Sequence, residues 1–167
     1  MGVVYIGNIF EQDQIILRAK NFVHDLLGKE CSGHDFWHAL RVEKTALRIV
    51  RKYDCDICVI RLATLLHDVD DPKLFEPNSK NIDIFLDSIE LPIQKKEHIK
   101  SIINNITYTK SLTVSSVEET IVSDVDKLDA LGVIGIARLF AFGGANGKSM
   151  YNPSKDFKDN SSVEHFF

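Results

Sequence analysis

The stretch Leu65-Leu66-His67-Asp68-Val69-Asp70-Asp71 ends an apolar run in a histidine and three carboxylates, interrupted only by Val69. An imidazole and a carboxylate at the end of a buried helix each need a partner to offset their desolvation, and one divalent cation serves both. A further histidine and a further carboxylate from other helices would complete four protein ligands and leave two positions of an octahedral shell to water. Mixed imidazole and carboxylate ligands suit Mn, Fe, Co, Ni or Mg. The plainer alternative is a hydrogen-bonded cap, since a charged histidine suits a helix C-terminus.

The other histidines are His24, His34, His38, His98 and His165. In Gly33-His34-Asp35-Phe36-Trp37-His38-Ala39-Leu40-Arg41-Val42, His38 sits in the first turns of an amphipathic helix next to its apolar face, which makes it the candidate third ligand. His34 falls before that helix and reads as a loop residue or as one that supports a ligand from behind. The fourth ligand should come from Ser123-Asp124-Val125-Asp126-Lys127-Leu128-Asp129, where three acids interrupt an apolar helix. Asp126 and Asp129 share a face one turn apart, whereas Asp124 points elsewhere. Asp71 precedes Pro72, an ordinary turn position, and Asp70 is left without a task and is expected to face solvent. Arg41 suits either an anion contact or an ion pair.

Helices must position these groups. After a tail over residues 1–12, Ile15, Ala19, Phe22, Val23 and Leu26 repeat at helical spacing, and Gly28 supplies the stop. Asp35 is a plausible cap for a second helix carrying Trp37, Leu40, Ala46, Leu47 and Ile49. A third, from about Asp56, is apolar on nearly every side through Val59, Ile60, Leu62, Ala63, Leu65 and Leu66 and is therefore buried. Pro72 ends it. Ile82, Phe85, Leu86 and Ile89 mark a short fourth helix, and Ile99, Ile102, Ile103 and Ile106 a fifth from near Gln94. Ser116-Val117-Glu118-Glu119 has the capping-box pattern that opens a sixth, and Ile134, Ala137, Leu139 and Phe140 form a seventh, ended by Gly143-Gly144. Residues 144–167 read as loop-rich. No segment alternates with period two, so the fold class is all-α: a compact bundle of about six to seven helices in one domain over residues 1–167.

With 167 residues and 44% hydrophobic composition the chain closes one core. A formal charge of -4 argues against nucleic acid or an anionic membrane as a partner. The start, Met1-Gly2-Val3-Val4-Tyr5-Ile6, lacks the basic flank of a signal peptide, and no run approaches the ~20 residues of a spanning helix. A cytoplasmic protein is expected. Cys31, Cys55 and Cys58 cannot all pair, which fits a reducing compartment, and Cys55-Asp56-Ile57-Cys58 has neither a second pair nor a preceding strand. Gly143 to Ser149 ends like a phosphate-binding loop but lacks the required glycine, since Phe142 stands there, and it follows a helix rather than a strand.

Several separated motifs together resemble the HD-domain superfamily of metal-dependent phosphohydrolases. They are His38 followed by Arg41-Val42, the doublet His67-Asp68, then Asp71 and Lys73, and Asp126-Lys127-Leu128-Asp129-Ala130. The stretch from Gly132 through Gly135-Ile136-Ala137-Arg138 to Gly143-Gly144 looks like the small stand-alone bacterial members, and the resemblance covers most of Asp13 to Phe167. It implies one divalent ion held by His38, His67, Asp68 and Asp126. It also implies a water-handling role for Asp71 and a phosphate-facing role for Lys73, with Arg41 as a further substrate contact. Asp129 is expected to hydrogen-bond a neighbour and fix a ligand's orientation. His98 lies where two-metal relatives supply extra histidines but has no second partner, so a single ion is expected. Such hydrolases act on nucleotides, and conversion of a (deoxy)nucleoside triphosphate to monophosphate and pyrophosphate leads. Nucleoside monophosphatase or cyclic-nucleotide phosphodiesterase activity stands as the alternative, with a non-catalytic metal- and nucleotide-binding module as the rival from another class. A homodimer stays open. Relatives continue past a Ser-Val-Glu-His-Phe segment into another long helix, which is expected to be absent from a chain stopping at Phe167.

Overall fold

The computed structural model describes residues 2–106 and 116–150, with side chains from residue 11 onward. Among the described residues all regular structure is helical: α1 Gly2–Leu27, α2 Phe36–Ile49, α3 Ile57–Leu66, α4 Asn81–Asp87, α5 Ile93–Asn105, α6 Val117–Asp129 and α7 Gly132–Ala145, with a single 3-10 turn at Val50–Lys52. The fold is all-α, as its periodicities imply.

The hub is α3, which packs against α1, α2, α5 and α6. Cys58, Val59, Ile60, Leu62, Ala63, Thr64, Leu65 and Leu66 are all buried, so the helix is central because it has almost no polar face to offer water. Val23 and Leu27 of α1, Val42 and Ala46 of α2, Ile99 and Ile102 of α5, and Val122 and Val125 of α6 close around it. Start points are set by side-chain caps: Asp35 accepts from the His38 N–H at 2.7 Å, Asp56 from Val59 at 3.2 Å, and Ser116 from Glu119 at 3.1 Å. Burial pushes the Cys55 and Cys58 thiols up from the ordinary value, and for Cys55 the neighbouring Glu118, Asp54 and Asp56 carboxylates act in the same direction.

Three features differ from the sequence reading. Residues 2–12 belong to α1 rather than to a tail. Gly2, Gly7 and the β-branched residues there lower helix propensity, but no proline or turn cluster stops the helix. In α2 the buried stripe is His38, Ala39, Val42, Glu43 and Ala46, whereas Trp37 is 62% exposed. Two polar residues sit on the inward face, which misleads an apolar-periodicity reading. Asp70 is half-buried, and its carboxylate accepts from the backbone N–H groups of Asn81 at 2.9 Å and Ile82 at 3.0 Å, capping α4. His165, the segment Thr107 to Ser115 and the Ser-Val-Glu-His-Phe run lie outside the described residues. No single helix is long and apolar enough to cross a membrane.

Candidate metal centre

Two helix ends and one helix start bring the predicted ligands together. His38 comes from the first turn of α2, His67 and Asp68 from the turn that closes α3, and Asp126 from the last turn of α6. His38 Nε2 lies 3.1 Å from His67 Nε2. It is 3.5 Å from Asp68 Oδ2 and 3.3 Å from Asp126 Oδ1, and His67 Nε2 is 3.5 Å from each of those oxygens. His38 is fully buried, while the side chains of His67, Asp68 and Asp126 are 5%, 9% and 25% exposed.

The other ring nitrogens decide what this cluster lacks. His38 Nδ1 donates to Asp129 Oδ2 at 2.7 Å, and His67 Nδ1 donates to the Thr64 carbonyl at 2.9 Å. A carboxylate and a carbonyl can only accept, so both Nδ1 atoms carry the hydrogen and both Nε2 atoms of the neutral rings present lone pairs. Two lone pairs and two carboxylate oxygens therefore converge with no donor among them. Two ligands at ~2.1 Å from one ion lie about 3.0 Å apart at right angles and about 3.4 Å apart at a tetrahedral angle. The observed separations of 3.1 to 3.5 Å match that range. The residues present thus fit one divalent cation, and the ligand atoms of His38, His67 and Asp126 lie close enough to share it.

Protonation tells the same story. Burial disfavours a charged His67, yet the neighbouring Asp68 and Asp126 carboxylates prevail and push it up to about 10 in the ion-free protein. Burial likewise works against ionised Asp68 and Asp126, but the histidines facing them hold both well below the usual carboxylate range. The cluster demands positive charge, which a proton or a metal ion can supply.

Asp129 orients His38 and is itself clamped. It takes a bidentate contact from Arg41, Nε to Oδ1 at 2.9 Å and Nη2 to Oδ2 at 3.0 Å, and another from Arg138 Nη1 at 3.0 Å. These cations and His38 outweigh its desolvation and hold it well below the usual range. Arg41 is thus engaged in an ion pair, and among the described residues only its Nη1 is left without a protein partner. Asp124, the competing acid, is exposed. His98 Nε2 lies 3.2 Å from Ser116 Oγ, at the opposite end of α6 from Asp126, so it supplies no second set of ligands.

Asp71 and Lys73 lie in the loop after α3; the Asp71 backbone N–H donates to the Asp68 carbonyl at 3.1 Å, and among the described residues neither side chain makes a hydrogen bond or ion pair with the four clustered residues. Asp71 Oδ1 accepts from the Lys73 backbone N–H at 2.7 Å, and Lys73 Nζ stands 5.8 Å from the centre of the Phe142 ring. His34, expected in the loop or supporting a ligand, has its Nδ1 3.2 Å from Asp68 Oδ2, whereas the sequence reading missed the part played by Arg138, whose Nε donates to the Gly33 carbonyl at 2.6 Å. Gly33 makes the Arg138 contact possible, since it has φ +100° and a Cβ there would press on the Arg138 backbone and side chain.

An all-helical bundle that gathers two histidines and two aspartates from α2, the end of α3 and α6 defines an HD-type centre. The chain belongs to the HD domain family, whose model matches residues 36–131. It is 32% identical over 155 residues to the uncharacterised protein YpgQ of Bacillus subtilis, covering 89% of this chain and 73% of YpgQ. Among solved structures it is similar to an HD-superfamily hydrolase from Bacillus thuringiensis, with 35% identity, a TM-score of 0.67, and 89% and 74% of the two chains covered. It is also similar to YpgQ crystallised in complex with ADP, with 28% identity, a TM-score of 0.67, and coverage of 95% of this chain and 76% of that one.

Proposed function

We propose that the protein is a metal-dependent phosphohydrolase that cleaves (deoxy)nucleoside triphosphates to the monophosphate and pyrophosphate. The observation that carries this reading is the convergence of the two neutral-ring Nε2 lone pairs, 3.1 Å apart, with an oxygen of Asp68 and one of Asp126, each 3.3 to 3.5 Å from both nitrogens, at the end of the most buried helix. Nucleotides are favoured because a similar protein, YpgQ, was crystallised with ADP. His38, His67, Asp68 and Asp126 hold the ion. When bound, a divalent ion supplies Lewis acidity, drawing charge from a phosphoryl oxygen and easing proton loss from water.

The remaining work falls to the protein's own side chains. Water oxygen forms a bond to the α-phosphorus, the bond from that phosphorus to the oxygen bridging to the β-phosphate breaks, and pyrophosphate departs. Asp71 takes the proton released by the water, on the carboxylate oxygen that the Lys73 backbone leaves unused. Lys73 offsets charge that develops on the phosphate chain, and the outward Nη1 of Arg41 offers a second contact. Asp129 keeps the lone pair of His38 aimed into the centre.

The test is a panel of nucleoside tri-, di- and monophosphates and cyclic nucleotides, incubated with protein loaded with Mn, Co, Ni or Mg, with pyrophosphate and orthophosphate measured separately. Release of pyrophosphate from triphosphates is the expected outcome. If stoichiometrically metal-loaded protein cleaves none of them, the enzyme reading fails and a sensing module takes its place.

A further inference from the structure

The outer face of α2 carries charge that the cluster does not use. His38, Ala39, Val42, Glu43 and Ala46 point inward, so the helical period puts Trp37, Arg41, Lys44 and Arg48 in one row on the opposite side. The 3-10 turn at Val50–Lys52 extends the row with Arg51 and Lys52. Lys44, Arg48, Arg51 and Lys52 are exposed, and among the described residues their side chains make no hydrogen bond or ion pair. Glu43 is the single acid between Phe36 and Tyr53, and it is buried against Lys20 and Arg61. A net charge of -4 for the whole chain therefore conceals a ridge of cations with no exposed acid among them. Like charges three and four residues apart repel and work against their own helix, and a row of opposite charges laid along them relieves that repulsion.

Trp37 decides which polyanion that is. It is the protein's only tryptophan, it heads the row one turn before Arg41, and it is 62% exposed. Phe36 steadies it, with ring centres 5.3 Å apart and planes at 61°, and Phe36 in turn meets His24 edge-on at 5.0 Å. An aromatic ring held in the open at the head of a cation track suits unpaired bases, which stack on the ring while their phosphates follow the cations. An acidic peptide offers carboxylates but no base to stack. A membrane surface would require apolar side chains beside the cations, whereas Ala39, Val42 and Ala46 are turned into the core.

We propose that this face of α2 binds single-stranded nucleic acid, with a base on Trp37 and the phosphate backbone along Lys44, Arg48 and Arg51. Charge summed over the chain argues against such a partner, but binding responds to the local face and not to the sum. Lys44, Arg48 and Arg51 take no part in the proposed metal centre, so this surface and the hydrolytic reading stand or fall separately.

The experiment titrates the full chain into a labelled oligothymidylate of about a dozen nucleotides, read by fluorescence anisotropy, with Trp37 emission followed in parallel. Emission should be quenched as the oligonucleotide saturates. Affinity should fall with salt at a log–log slope of about -3, the value for four cations on a single strand. Lys44→Gln combined with Arg48→Gln should weaken binding at least about tenfold at low salt and halve the slope, without moving the melting temperature. Trp37→Ala should weaken binding about tenfold and preserve the slope, since stacking does not release counterions. No binding at low salt overturns the proposal, as does an affinity that the paired substitution leaves unchanged or a Trp37 emission unquenched at saturation. Equal affinity for a duplex of the same length overturns the assignment to single strands. Tighter binding to phosphatidylserine vesicles or to polyglutamate, lost in the same paired variant, overturns it in favour of a membrane or an acidic protein.

Discussion

Helices α2 and α3 share two buried charged clusters that differ in one respect. Around Glu43 of α2, which is 3% exposed, Lys20 Nζ lies 2.7 Å from Oε2 and Arg61 Nε lies 2.9 Å from Oε1. The acid meets donors from α1 and α3, and the chain closes its own charge. One turn earlier on α2, His38 faces His67, Asp68 and Asp126, and every hydrogen the two imidazoles carry in their neutral form is already given to Asp129 and Thr64. Both clusters are polar and buried, yet only the second ends in acceptors facing acceptors. Buried polarity alone does not mark a functional site, and a deficit of donors does.

The largest effect expected from this contrast follows removal of a converging acceptor. His67→Ala should abolish stoichiometric metal binding and reduce hydrolysis by a factor on the order of a thousand or more, since the ion supplies most of the charge stabilisation. Metal content by elemental analysis and pyrophosphate release, with circular dichroism as the check on folding, measure this. A variant that keeps one ion per chain and its activity would make the second cluster as self-sufficient as the first.

Acid and base sharpen the same contrast. Without metal, His67 titrates at about 10 because Asp68 and Asp126 overcome its burial. A folded value above the unfolded one, near 6.5, contributes stability that is complete below about pH 6.5 and is lost as pH rises through about 10. Asp68 and Asp126, held low, act in the opposite sense: their contribution is present above the unfolded value of 3.8 and is lost as pH falls through their depressed folded values. The melting temperature of metal-free protein should therefore decline between pH 6.5 and 10, and bound metal should flatten that decline by taking the place of the proton. Parallel declines with and without metal would show that the ion does not sit among these residues.

The reach of sequence reasoning follows from where each partner lies along the chain. His67-Asp68 stood out because an apolar helix ran straight into it, and Asp126 because acids broke an apolar period. The inward face of α2 was harder to read, since Glu43 and His38 look like surface residues until Lys20, Arg61 and Asp129 are brought to them from other helices. Arg138 and Gly33 are 105 residues apart, and nothing local to either announces the contact. Asp70 looked idle because the helix it caps begins eleven residues later. The fold was legible from periodicity, and the ligands from their chemistry. The supporting hydrogen bonds needed the tertiary structure.

Asp129 stands between the two clusters in kind: two arginines compensate it, as Glu43 is compensated, but it also orients a residue of the proposed centre. Asp129→Asn keeps the shape and removes the charge that holds the His38 tautomer. Metal affinity should fall by about 10- to 100-fold, the usual cost of disturbing a ligand's orienting partner, with stoichiometry preserved at saturating ion. Competition with a chelator of known affinity gives the number, and an unchanged affinity would reassign Asp129 to anchoring Arg41 and Arg138 alone.

The smallest effect, and the complement of the first, belongs to Glu43. Removing one partner of a buried ion pair costs about 3–5 kcal/mol where the orphaned charge stays buried. Here the charges left behind by Glu43→Ala are Lys20 and Arg61, whose side chains are 31% and 21% exposed, so water can reach them and the cost should drop to about 1–2 kcal/mol. Urea denaturation of the metal-free protein measures that loss. Metal stoichiometry and affinity should stay at wild-type values, because the hydrogen bonds and ion pairs of Glu43 among the described residues go to Lys20 and Arg61 and not to His38, His67, Asp68 or Asp126. Loss of metal binding in a folded Glu43→Ala variant would mean that the two clusters are coupled through α2, and that the closed charge network exists to hold the open one in place.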